Sequence, residues 1–120
     1  GSVLLGLLAT SSTLKAAPVI SEFLASNQSF LEDEDDESSD WIEIHNDSVF
    51  TLSLEGYFLT NDALQLSKWA FPAMTLGADE RILVWASGKD RTGDPLHTNF
   101  TIDADGEYLA LVRPNGTTIV

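Results

Sequence analysis

Seven of the 19 acidic residues in this chain fall between Glu32 and Asp40. Carboxylates at that density are natural ligands for calcium, a hard cation that takes several oxygens. Asp33, Asp35 and Glu37 alternate as the opening ligands of an EF-hand loop do, and Asp40 follows within the same stretch. The rest of that motif fails. Ser38 stands at the sixth position, where the sharp turn needs glycine, and Ile44 stands at the twelfth, where a glutamate is required. The expectation is a calcium site of another geometry on Asp33, Asp35, Glu37 and Asp40, or a solvated acidic loop that aids solubility.

A second constellation is Gly88-Lys89-Asp90-Arg91, a small basic loop in an acidic protein. Lys89, Asp90 and Arg91 form the candidate interaction loop. They would contact an acidic partner, pair internally with carboxylates of another loop, or stay solvated. Trp41, Trp69 and Trp85, with Tyr57 and Tyr108, could form a platform for sugar rings, but their strand positions point to packing instead. Trp41 shares a face with Glu43 and His45 and is expected to be partly exposed. His45 and His97 raise the possibility of a hydrolytic triad or a shared zinc. The chain has no Gly-x-Ser-x-Gly elbow and no zinc spacing. A small sandwich also offers little cleft in which to bury a carboxylate and raise its pKa for glycoside hydrolysis. The reading is therefore not an enzyme.

Charge removes other classes. Six basic residues against 19 acidic ones leave a net charge of −13. Nucleic-acid binding rests on Lys and Arg displacing counterions from phosphates, so DNA and RNA are set aside as partners. Anionic membrane surfaces repel the chain for the same reason. With no cysteine there is neither a disulfide framework nor thiolate chemistry. Residues 1–17 are expected to be a tag scar, Gly1-Ser2, followed by the remnant of a secretory signal. Val3 to Ala9 supplies the apolar run, too short to span a bilayer as a helix, and the segment closes on small residues at Ala16-Ala17. The mature domain then occupies residues 18–120 and works outside the cytoplasm, extracellularly or at the cell surface.

Such groups must be held by short strands, because the chain after Pro18 alternates β-prone runs with Gly, Asn, Asp and Pro punctuation. Val19 to Ala25 is a first strand whose facing is left open by Phe23-Leu24. Trp41 to His45 alternates, with Ile42 and Ile44 on one face. Leu52 to Leu54, Tyr57 to Thr60 and Lys68 to Phe71 follow, and Leu76 to Asp79 reads as a turn. Arg81 to Ala86, apolar on both faces, is the strongest strand. Ser87 to Leu96 reads as a loop. Thr98 to Ile102 and Glu107 to Val112 read as a hairpin, and Thr117 to Val120 as a last strand after the Pro114-Asn115-Gly116 turn. The pattern predicts an all-β sandwich or barrel of about seven or eight strands. Its expected core is Ile42, Ile44, Leu59, Phe71, Ile82, Val84, Leu109 and Leu111.

The order of several short runs carries a family resemblance. Ile20-Ser21-Glu22-Phe23 precedes the acidic loop, and Asp40-Trp41-Ile42-Glu43-Ile44-His45-Asn46 follows it. Leu54-x-Gly56-Tyr57, Trp69-x-Phe71-Pro72, Leu76-Gly77 and Val84-x-Ala86-Ser87-Gly88-Lys89-Asp90 come next, then His97-Thr98-Asn99-Phe100 and Gly106-Glu107-x-Leu109-x-Leu111. Together they resemble the lamin tail domain, particularly its versions in exported bacterial proteins, over about residues 18–120. The resemblance implies an all-β, immunoglobulin-like β-sandwich of about 7–9 strands with no catalytic apparatus. It also implies a non-catalytic interaction or structural module of an exported or cell-surface protein, whose partner is a protein or a surface component. Bacterial relatives often have a glycine within the acidic loop, where this chain has Asp33 to Ser38. The rival expectation is a calcium-assisted carbohydrate-binding or adhesion domain.

Overall fold

The computed structural model describes residues 16–25, 31–102 and 108–120. The expected signal remnant falls almost wholly outside these residues. The order is β1 (Val19–Leu24), β2 (Asp40–His45), β3 (Leu52–Ser53), β4 (Phe58–Thr60), β5 (Trp69–Ala70), β6 (Thr75–Leu76), β7 (Arg81–Ala86), β8 (Leu96–His97) and β9 (Ala110–Val112). No helix occurs among the described residues. One layer is a four-stranded sheet, β1-β2-β7-β8. Facing it are the three-stranded sheet β5-β4-β9 and the pair β3-β6.

Alternation in β2 builds the interior. Ile42 and Ile44 lie opposite Val84 and Ile82 of β7, and they meet Leu54, Leu59, Trp69, Phe71, Leu76 and Leu111 from the other layer in one cluster. Six of the eight expected core residues are buried, while Ile82 and Leu109 are partly buried against the cluster. Fully burying an aliphatic side chain of this size stabilises by about 1.5–3 kcal/mol before entropy is counted.

The facing of β1 follows from a bulge that the sequence pattern does not declare. Its register against β2 shifts between Ile20 and Glu22, so Ser21 is the extra residue, and its hydroxyl donates to Glu43 Oε1 at 2.6 Å. An inserted residue re-aims the side chains that follow. Ile20 packs on the core and Phe23 is turned largely to solvent.

Several segments differ from the sequence reading. Thr98 to Ile102 and Glu107 to Val112 do not pair as a hairpin among the described residues. Instead β9 pairs with β4, Leu111 opposite Leu59, and Thr101 bridges to Ser87. The Thr98 hydroxyl donates to the Phe100 carbonyl at 2.7 Å, closing a local turn where a strand was expected. Leu96, expected as the end of a loop, instead forms β8 with His97, parallel to β7. Thr75–Leu76 likewise pairs with β3, where a turn had been expected to begin. The last segment, expected as a strand over Thr117 to Val120, makes only an isolated bridge, Ile119 to Val112, and the Val120 amide donates to the Leu111 carbonyl.

Candidate functional site

The acidic loop folds around the side chain of Asp33. Asp33 Oδ1 accepts the backbone N–H groups of Asp35 at 2.9 Å and Glu37 at 3.1 Å. Its Oδ2 accepts the Ser39 hydroxyl at 2.8 Å. The main chain closes the same turn, Asp33 N–H to the Glu37 carbonyl at 2.8 Å and Asp36 N–H to the Asp33 carbonyl at 3.0 Å. Asp36 takes φ 60°, a left-handed conformation that glycine adopts freely and Asp tolerates better than most residues. A short polar residue that bonds its own backbone organises the turn that leads into β2.

The basic loop approaches from the end of β7. Gly88 at φ 81° and Asp90 at φ 55° bracket Lys89, and these two left-handed residues reverse the chain so that Arg91 pairs with His97 through both backbone groups, at 2.8 and 2.9 Å. That reversal aims Lys89 at the acidic loop. Lys89 Nζ lies 2.8 Å from Asp33 Oδ2, 2.8 Å from Asp35 Oδ2 and 2.6 Å from Glu37 Oε1. Arg91 reaches Glu34 at 2.6 Å and Asp35 at 3.0 Å.

Beneath these pairs lies His97, a side chain with no exposed surface. Its Nε2 faces both Glu34 oxygens at 2.7 and 2.8 Å, and its Nδ1 lies 2.7 Å from the Ser87 hydroxyl. Donation from Nε2–H to the carboxylate makes Nδ1 the acceptor of the Ser87 O–H. The ring stacks on Trp85 at 6.4 Å. Serine, histidine and glutamate thus form a chain, but the Ser87 oxygen also accepts the Lys89 amide at 3.1 Å. The arrangement anchors the two loops to the sheet.

The charge states follow from these contacts. Burial disfavours the Asp33 carboxylate, yet hydrogen bonds from Lys89, Ser39 and two backbone amides outweigh it and hold the group well below the usual carboxylate range. For Lys89, desolvation pulls its affinity for the proton down, while hydrogen bonds to Asp33, Asp35 and Glu37 push it further up. The lowered Asp35 carboxyl owes most to Lys89, with Arg91 second among the groups that lower it.

Of the calcium candidates, Asp33, Asp35 and Glu37 are brought together, but around the ammonium of Lys89. Asp40 is not among them, being the first residue of β2, opposite Ala86. Of the interaction-loop candidates, Lys89 is spent internally, Arg91 keeps 44% of its side chain exposed, and Asp90 accepts the Trp69 indole N–H at 3.2 Å. Glu34 and its bond to His97 carry no sequence signal, because the partners lie 63 residues apart.

Trp41, expected to be partly exposed, is a correction: only 7% of it is exposed. Sharing a strand face with Glu43 and His45 did not place it in water, because β1 and β7 flank it with Leu24 and Trp85 directly opposite. Trp69 and Trp85 are buried as well. The two histidines do not converge. His45 lies level with Arg81 and pairs with Asp79 at 2.9 Å, whereas His97 lies level with Trp85.

A model of the lamin tail domain family matches residues 11–120. The chain belongs to the lamin tail domain family. Membership fits the two facing layers and the absence of any helix among the described residues, and the family is an immunoglobulin-like, non-enzymatic one. No curated protein sequence matches this lamin tail domain at a significant level. Among its described residues, no helix is long and apolar enough to cross a membrane.

Proposed function

We propose that this lamin tail domain is a non-catalytic interaction module of an exported or cell-surface protein, tethered within a longer polypeptide and binding a protein or surface component. The observation that carries the reading is the state of its reactive groups. His97 is sealed beneath Glu34, the Ser87 oxygen is bonded to its own loop, and the acidic cluster encloses Lys89. Groups consumed in this way brace loops, and braced loops on a sandwich are suited to presenting contacts. In the same reading Lys89 takes the cation's place among Asp33, Asp35 and Glu37, and the domain needs no calcium. Burial of all three tryptophans weighs against the rival sugar platform.

The test is made on the parent polypeptide in its source cells. Deleting residues 18–120 should release the parent from its complex or surface while leaving any activity of its other domains intact. Antibody against the domain should label intact cells or the culture medium. Unchanged retention after deletion overturns the interaction role, and labelling that needs permeabilised cells overturns the export.

A further inference from the structure

The four-stranded sheet is incompletely paired. β2 pairs β7 along all six of its residues, from Arg81 to Ala86. On the other side β8 covers only Val84 and Trp85, so Arg81, Ile82 and Leu83 have no ladder partner there among the described residues. A cleft of about 420 Å³ opens beside this stretch, with Met74, Ile82, Leu83 and Leu96 among its apolar walls and the exposed carboxylates of Glu80 and Asp94 at its lining. Backbone without a neighbouring strand, next to a partly apolar cleft, is the arrangement by which sheets take up extended peptides.

Charge selects the occupant. Arg81 leans toward Glu43, and Lys89 and Arg91 are held in the acidic loop, so those cations are engaged away from Glu80 and Asp94. With a net charge of −13 on the whole chain, an incoming segment is steered by its own positive charge. We propose that this cleft binds an extended peptide segment in which apolar side chains alternate with Lys or Arg. The apolar side chain enters between Met74, Ile82 and Leu96, the peptide backbone lies along Arg81–Leu83, and its cations meet Glu80 and Asp94. This deepens the interaction-module reading and rests on it.

Gly93 supplies a clean test. A Cβ built there meets no atom within 4 Å, so Gly93→Trp adds bulk at the cleft while leaving the charge unchanged. The probe is a fluorescein-labelled peptide of alternating lysine and valine, titrated into the 120-residue chain, with a glutamate-for-lysine counterpart as control. The cationic peptide is expected to bind and to shift the amide resonances of Ile82, Leu83 and Gly93. Gly93→Trp and Asp94→Lys should each weaken it about tenfold or more, and the acidic counterpart should not bind. Equal binding by Gly93→Trp means only diffuse attraction and overturns the proposal. So do shifts centred elsewhere, no binding at all, or concentration-dependent shifts at the cleft without peptide, which would assign it to a second copy. The parent carrying Gly93→Trp separates the two readings: retention lost on deletion of the domain but kept in this variant leaves the module standing without the cleft.

Discussion

Lys89 Nζ and Asp33 Oδ2 lie 2.8 Å apart across 56 residues of chain, and the Asp33 side chain has no exposed surface. A carboxylate buried to that degree is costly unless its charge and lone pairs are matched. Here they are matched by one ammonium, one hydroxyl and two backbone amides. The contact therefore joins two loops beyond the end of the β2–β7 ladder, where Asp40 lies opposite Ala86.

Replacing Lys89 by methionine should cost about 3 kcal/mol, the low end for breaking a buried pair, since its ammonium keeps some contact with water. Urea unfolding read by tryptophan fluorescence gives the number. A loss under about 0.5 kcal/mol would place the pair with ordinary surface ion pairs.

Calcium provides a second reading of the same geometry. In the native domain, calcium at about 1 mM, the range of weak extracellular sites, should leave the Tm unchanged because Lys89 already sits among the carboxylates. In Lys89→Ala, Asp33, Asp35 and Glu37 are left together without their cation, and calcium should restore part of the lost Tm. A native domain whose Tm falls on chelation would show that the ammonium does not displace the metal.

Stability should depend on pH at both extremes. The Asp33 carboxyl holds its charge to lower pH in the folded state than in the unfolded chain, where it protonates near pH about 4. The unfolded state then binds more protons in that window, so stability is fully present above pH about 5 and is lost as pH falls below about 4. Lys89 runs the other way, its folded affinity for the proton being raised. Its contribution is complete below pH about 10 and is lost as pH rises beyond that. Tm measured across pH in native and Asp33→Asn domains checks the acid limb, which should flatten in the variant.

Strand alternation made the sandwich legible. Ile42 and Ile44 against Val84 and Ile82 could be read directly, because a period of two reports which face is buried. Leu96–His97 could not, since two residues amid Gly, Asp and Pro give no period and their pairing depends on β7 being in place. Trp41 shows the limit of alternation: the pattern separates two faces but does not say what covers the second. Lys89 and the acids were each legible as charged loops, and internal pairing was one of the readings open to them. The pairing itself needed the turn made by Gly88 and Asp90, which brings distant segments together.

Burial of Trp41 has a measurable consequence. With all three indoles at 7% exposure or less, fluorescence should be blue-shifted, weakly quenched by iodide, and unmoved by soluble polysaccharides. Trp41→Ala should destabilise by about 3–5 kcal/mol, the usual cost of truncating a buried aromatic. Strong iodide quenching in the folded range would return Trp41 to the surface.

Asn46 gives the sharpest test of polar order inside the sandwich. It is fully buried at the end of β2, and its Nδ2 donates to the carbonyls of Phe50, Leu76 and Gly77 at 2.7, 2.9 and 2.9 Å. Its Oδ1 accepts the Ser48 amide at 3.0 Å and hydroxyl at 2.7 Å. Alanine would strip partners from several buried groups at once, and about 2–4 kcal/mol should be lost. Aspartate has nearly the same shape, yet it would aim an acceptor oxygen at three carbonyl oxygens and bury a charge among them. Asn46→Asp should therefore be at least as destabilised as Asn46→Ala at neutral pH, and should recover part of the difference on mild acidification as the carboxyl protonates. Urea midpoints for the two variants at neutral and mildly acidic pH decide it. An aspartate variant close to the native midpoint would mean that packing volume, and not amide donation, holds the β2–β3 turn against the strand β6.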